Sequence, residues 1–309
     1  MDIDDALNEA AEVARPAAEH GKVAGYIPEM AKLDPESFGL VMCELDGTEH
    51  GVGDIDEPFP IQSMSKVFSL ILAMQKLGTE HTVTDELWCR VGREPSGDPF
   101  NSLVQLEHEQ GIPRNPMINA GALVVDDVLI DHCKDPDASM RDLVRQLTGD
   151  EIEINPAIAT SEGGASYRNR AMANLMADFG NLNHTVDEVL TTYNDQCATM
   201  MTARQLARSM RFLANDGIEP DSGEQILDAP LARRVTAIML TCGTYDAAGE
   251  FAFSVGLPCK SGVAGGIMAV APDHSGLCVW SPPLDSSGNS LAGRAALHEL
   301  TNRLELSIF

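Results

Sequence analysis

The stretch from Ser63 to Lys76, SMSKVFSLILAMQK, is apolar on nearly every side, with Met64, Val67, Phe68, Leu70, Ile71, Leu72 and Met74 leaving no polar stripe. A helix of this kind has to be covered all round, so it belongs between layers and not on a surface. A chain of 309 residues can supply those layers as one large domain or two closely packed parts. Gly78 is placed to stop the helix. The run falls short of the roughly 20 apolar residues that cross a bilayer. The amino terminus, Met1-Asp2-Ile3-Asp4-Asp5, is acidic where a secretory signal would be basic and then apolar. A cytoplasmic protein with no membrane segment is expected.

Around this helix the pattern divides. Residues 4 to 19 read as an amphipathic helix, and FGLVMCELDGTEHGVGD (38 to 54) reads as a hairpin turning at Asp46-Gly47. Helical periodicity then dominates, over 119 to 133, 138 to 148, 168 to 179, 185 to 192 and 201 to 214. Extended segments return at 250 to 258, 265 to 272 and 275 to 283, separated by short turns that favour antiparallel pairing, and a last helix is expected over 290 to 305. Strands at both ends with helices between them predict an α+β fold. Its antiparallel sheet is built from both chain ends, 1–80 and 226–309, and flanked by helices. An all-helical subdomain, 81–225, completes it, with the site in the cleft between the two parts.

Forty-seven acidic residues face 21 lysines and arginines, a net charge of −26. Such a surface repels nucleic acid and anionic membranes, so neither is expected as a partner. Only six lysines occur, at 22, 32, 66, 76, 134 and 260, and the composition is similar to that of proteins from salt-adapted archaea. Seven cysteines lie scattered without a C-x-x-C pair, and the eight histidines show no metal-ligand spacing. Free thiols, no metal and no cofactor are expected.

On a helix, positions i and i+3 face the same way, so Ser63 and Lys66 can touch. A serine hydroxyl becomes a useful nucleophile only when something takes its proton, and a lysine can do so only if burial leaves it uncharged. The apolar helix offers that burial, and a helix start offers unpaired N–H groups to an oxyanion. By itself S-x-x-K is a weak signal: Ser63 as a helix cap and Lys66 as a surface side chain is then the favoured explanation.

A second element changes the weighing. Lys260-Ser261-Gly262 follows the segment EFAFSVGLP, and a Lys-Ser/Thr-Gly element accompanies S-x-x-K in serine β-lactamases and penicillin-binding proteins. Beyond it, YIPEMAKLDP (26–35), FPIQSMSKVFSL (59–70), EPSGDPFNSLVQLE (94–107), NPMINAGALVV (115–125), SEGGASYRNRAMA (161–173), LTCGTYDAAGEFAFSVGLPCKSGVAGGIMAV (240–270) and WSPPLDSSGNS (280–290) resemble, in order, the signature blocks of the serine-dependent glutaminases. The blocks span nearly the whole chain.

The resemblance implies a β-lactamase/transpeptidase-like fold. It also implies hydrolysis of the side-chain amide of L-glutamine to L-glutamate and ammonia through an acyl-enzyme on Ser63. Lys66, Tyr193 and Tyr245 would move protons, and the backbone N–H groups of Ser63 and Val263 would form the oxyanion hole. Glu162 would face the substrate ammonium, while Tyr26, Asn119, Asn169 and Tyr193 would hold the carboxylate and its neighbours, with Gln62 near the nucleophile. Family members commonly associate as dimers or tetramers, so a homo-oligomer is implied. Each residue also has an ordinary reading: Asn119 as a helix cap, Glu162 as a surface pair, Tyr26 and Tyr193 as core residues. Another acyl-serine amidohydrolase of the same fold, acting on a different amide or on β-lactams, is the alternative enzyme. A scaffold that keeps the pocket without turnover is the alternative from another class.

Overall fold

The structure, a computed structural model, describes residues 2–97 and 101–309. Its main sheet joins both ends of the chain. β1 (Gly39–Glu44) and β2 (Glu49–Gly53) form the hairpin expected from Asp46-Gly47, with Gly39 opposite Gly53 and Cys43 opposite Glu49. β3 (Phe59–Pro60), β4 (Glu153–Ile154) and β5 (Thr199–Met201) form a separate three-stranded sheet in the order β3-β5-β4. β6 (Cys259–Ser261), β7 (Gly266–Ala271) and β8 (Ser275–Trp280) return to the main sheet, whose order is β2-β1-β8-β7-β6, all antiparallel. β8 therefore sits at the centre, bonded to β1 from the front of the chain and to β7 from the back.

Both faces of this sheet are covered, which explains why its strands read as continuous apolar runs. Leu40, Met42, Ile267, Ala269, Leu277 and Val279 point to one side, where α1 (Ile3–Ala14) and α13 (Leu291–Leu304) cover them. Val41, Cys43, Met268, Val270, Cys278 and Trp280 point to the other and join the larger core. The helices on that side of the chain are α2 (Ser65–Leu77), α3 (Glu80–Val83), α4 (Leu103–His108), α5 (Asn119–His132), α6 (Pro136–Thr148), α7 (Pro156–Ala165), α8 (Tyr167–Asp178), α9 (Val186–Cys197), α10 (Ala203–Ala214) and α11 (Ala229–Cys242), which pack largely on one another. Of these, α10 lies directly against β8, β1 and β7. Gly276 makes that approach possible, since a side-chain carbon there would stand 2.0 Å from the Ala207 carbonyl oxygen.

The helix that opened the argument is α2, surrounded by α5, α6 and α11 and buried along nearly its whole length. Gly78, at φ +78°, ends it by donating its N–H to Met74 O at 2.9 Å. Two expectations need correction. Residues 250 to 254 are not extended: α12 (Ala248–Ser254) is helical, and the strand is confined to β6. Alternating Phe251 and Phe253 suggested a strand, but a short helix also turns residues two apart to opposite sides. Phe251 is buried and Phe253 fully outside. Helices α7 and α11 were not anticipated, α7 because Gly163 and Gly164 lower its helical propensity.

Candidate active site

The start of α2 is held by the small sheet. Ile61 N–H donates to Thr199 O at 2.9 Å, and a tight turn over Gln62–Met64 follows, with Gln62 at φ +51°. A side chain other than glycine in that region is strained, and such strain persists only where the surroundings fix it. The turn presents Ser63, which is not a helix cap. Its Oγ lies 2.7 Å from Lys66 Nζ, and the same Nζ lies 3.1 Å from the Tyr193 hydroxyl. Lys66 is no surface side chain either, being 1 % exposed. Burial pulls its pKa below the ordinary 10.5, against the opposing pull of Cys197, Asp126 and Glu162. Burial likewise pushes Tyr193 well above 10.0, so it stands as a phenol.

Edge strand β6 closes the other side. Tyr245, at φ +60° and buried, hydrogen-bonds Ser63 and reaches the Ser261 carbonyl at 3.3 Å. Lys260 Nζ donates to that carbonyl at 2.6 Å and lies 4.3 Å from the centre of the Tyr245 ring. Burial, reinforced by Lys66, pulls Lys260 well below its ordinary pKa. Gly262 lets the strand come this near: a side-chain carbon there would meet Ile61 O at 2.6 Å. Among the described residues, neither Ser63 N–H nor Val263 N–H donates to a protein acceptor.

The opposite wall comes from α5, α7, α8 and α9. Asn119 is itself the first residue of α5, behind Ile118, and its side chain does not cap the helix. Asn119 Nδ2 donates instead to Asn169 Oδ1 at 3.0 Å. The turn before it is set by Asn115, whose Oδ1 accepts from Met117 N at 3.0 Å and Ile118 N at 3.2 Å. Gly121 packs so close that a side chain would strike Asn115 O at 1.9 Å. Glu162 on α7 is buried, raised in pKa by burial and lowered by a hydrogen bond from Gln62 and the charge of Lys66. Asn119 Oδ1 and Glu162 Oε1 are buried acceptors without a protein partner. Buried polar atoms are rarely left so unless something else binds them.

These residues enclose a cleft of about 710 Å³. Tyr26, Gln62, Ser63, Asn119, Glu162, Asn169, Tyr193 and Val263 all line it, with Lys66 and Tyr245 in contact with Ser63 beneath. Tyr26 forms the rim and is 61 % exposed. The whole predicted set is thus brought together from segments more than 200 residues apart. Sequence reasoning left out Lys22, Arg168 and the loop 285–288, which also line the cleft. Arg168 and that loop lie inside the family-like blocks, but nothing in their spacing signalled a role. Of the block 94–107, residues 98–100 lie outside the described residues. Asp127, Asp131 and His184 also cluster, a grouping invisible in sequence. The Asp127 carboxylate there is already engaged by Arg90 and by the N–H groups of Asn183 and His184.

Comparison with known proteins agrees with this geometry. A family model described as Glutaminase matches residues 21–309. A glutaminase of Methylobacterium nodulans is 50% identical over 312 residues, covering 100% of this chain and 99% of the relative. The crystal structure of a Bacillus glutaminase in 4.3 M NaCl superposes with a TM-score of 0.89 at 34% identity, covering 100% of both chains. A Bacillus subtilis glutaminase in covalent complex with 5-oxo-L-norleucine, formed from 6-diazo-5-oxo-L-norleucine, has a TM-score of 0.85 at 34% identity, over 97% of this chain and 98% of that one. The expected β-lactamase-like α+β fold is therefore the observed one, and with a family match over nearly its full length, this chain belongs to the glutaminase family.

Proposed function

We propose that this chain hydrolyses the side-chain amide of L-glutamine, giving L-glutamate and ammonia, with Ser63 as the nucleophile. The observation that carries the reading is the 2.7 Å separation of Ser63 Oγ and a fully buried Lys66 Nζ. An uncharged Lys66 accepts the Ser63 proton as Oγ forms a bond to the amide carbon. The N–H groups of Ser63 and Val263 hold the resulting oxyanion. The C–N bond then breaks, the proton passes to the departing nitrogen through Lys66 or the Tyr193 and Tyr245 hydroxyls, and ammonia leaves a glutamyl ester on Ser63. Water attacks that ester, gives one proton back to Ser63 Oγ and releases glutamate.

The head of the amino acid fits the opposite wall. Its ammonium supplies the donors that Glu162 Oε1 and Asn119 Oδ1 lack. Its carboxylate is offered the Asn169 amide and the Tyr26 and Tyr193 hydroxyls. Gln62 holds Glu162 from the nucleophile side. The covalent adduct of the Bacillus subtilis relative with a glutamine analogue supports the same class of substrate. A homo-oligomeric cytoplasmic enzyme, with its site between a sheet part (1–80 and 226–309) and a helical part (81–225), belongs to this reading. Light scattering of the purified protein gives the oligomeric state.

The decisive experiment measures ammonia released from L-glutamine by the purified protein, with Ser63→Ala as control and benzylpenicillin as competing substrate. Turnover of glutamine that disappears in Ser63→Ala is expected. Glutamine turnover that survives the substitution, or turnover of the β-lactam alone, would overturn the proposal.

A further inference from the structure

The backbone of Tyr245, at φ +60°, is one that a bulky aromatic residue seldom takes, and it persists only where neighbouring groups fix it. The two residues before it carry the fixing contacts. Gly243 packs against β6 so closely that a side-chain carbon would stand 1.8 Å from Cys259 O, and its own carbonyl accepts from Ser261 N–H at 3.2 Å. Thr244 is buried, and its carbonyl accepts from Ala247 N–H at 3.2 Å and from Asn289 Nδ2 at 3.3 Å.

Asn289 reaches Thr244 from the segment between β8 and α13, and it is wholly buried. A closed turn holds its backbone: Asp285 Oδ1 accepts from Ser287 N–H at 2.9 Å and from Asn289 N–H at 3.0 Å, while Asp285 N–H donates to Asn289 O at 2.8 Å. The same segment braces the turn that carries Val263. Ser290 Oγ donates to Ser281 O at 2.7 Å, and Ser281 N–H donates to Gly265 O at 3.0 Å. Residues 285–288 line the cleft, but neither Asn289 nor Tyr245 does. Asn289 Oδ1 is a buried acceptor without a partner among the described residues. An unpaired buried acceptor costs free energy, so what this amide contributes is its bond to Thr244.

We propose that Asn289 is a positioning residue for the reaction: by holding the Thr244 carbonyl it keeps the Tyr245 hydroxyl at the Ser261 carbonyl, beside Ser63. The inference deepens the reading above and rests on Tyr245 moving a proton there. The hydroxyl is 3.3 Å from Ser261 O, an acceptor that Lys260 Nζ already holds at 2.6 Å. With its acceptor shared, the hydroxyl owes its place to the backbone that carries the ring, and Asn289 is the side chain that ties this backbone down from outside β6.

The test is a double-mutant cycle on glutamine turnover, with kcat and KM read separately. Asn289→Leu keeps the bulk of the side chain and removes the donor. We expect kcat to fall by about tenfold or more, with KM changed by less than about twofold, because Asn289 lies outside the cleft lining. Tyr245→Phe removes the hydroxyl itself and lowers kcat at least as far. In that background Asn289→Leu has little left to displace, so the double variant is about as slow as Tyr245→Phe alone. A residue that only supports the fold would slow both backgrounds by the same factor. Equal factors, an unchanged kcat in Asn289→Leu, a loss carried by KM, or full activity in Tyr245→Phe each overturn the proposal. Thermal unfolding checks every variant. If Asn289→Leu does not fold, Asn289→Ser, whose hydroxyl is too short to take the place of Nδ2, carries the cycle, and failure of both to fold overturns the proposal. Failure of the glutaminase reading is seen separately, as turnover that survives Ser63→Ala.

Discussion

In the proposed reaction Lys66 takes a proton from serine and must arrive without one, and burial is the chief cause that lowers its pKa. Lys66→Arg replaces it with a guanidinium that stays charged at any working pH. We expect kcat to fall by roughly 10²–10⁴ with KM for glutamine nearly kept, measured alongside circular dichroism to confirm folding. The two buried lysines also shape stability. Unfolded, Lys66 and Lys260 are protonated up to about pH 10.4; folded, both lie below that value. Unfolding therefore takes up protons, and the native state loses stability as pH falls from about 10.4 through the folded values. Lys260→Met should flatten this slope in urea midpoints taken from pH 7 to 10, and an unchanged slope would remove Lys260 as its source. Ser63 and Lys66 were legible because their spacing allows contact and Lys260-Ser261-Gly262 and the family-like blocks accompany them. Asn115 was not, because its role is to bend the backbone before Asn119, which no spacing rule encodes.

At the level of elements, the Gln62–Met64 turn and β6 meet backbone to backbone at Gly262. Gly262→Ala puts a carbon 2.6 Å from Ile61 O, so strand and turn must separate. We expect kcat/KM to drop by about tenfold or more, roughly 1.4 kcal/mol of transition-state stabilisation, with the melting temperature as a control for simple unfolding. The opposite case is Thr202, whose side chain accepts from Gln205 N–H in a capping box at the start of α10. Thr202→Ala should cost about 1 kcal/mol of stability in chemical denaturation and leave KM alone. Long helices with an unbroken apolar run, such as α2 and α5, and the Asp46-Gly47 hairpin could be read from sequence. The strands β3, β4 and β5, two or three residues each, carry too little pattern, and α12 is short enough that its period of two imitates a strand.

Across the whole molecule, a net charge of −26 works against compactness through self-repulsion. Salt shortens the reach of that repulsion, to about 3 Å at 1 M. The melting temperature should climb from low to molar KCl, and a flat response would separate the acidic composition from salt adaptation. The antiparallel sheet drawn from both ends was foreseeable because strands bracketed the helices, while the seat of β8 between β1 and β7 was not, since pairing order is a property of the assembled core. That seat has a consequence for biosynthesis. On the ribosome, the segment bearing Ser63 emerges early, yet Tyr245, the Val263 amide and the central strand lie in the last quarter to be translated. A nascent polypeptide thus carries Ser63, the proposed nucleophile, for most of its synthesis without the groups proposed to serve it, and on that proposal release of ammonia awaits translation of this last quarter.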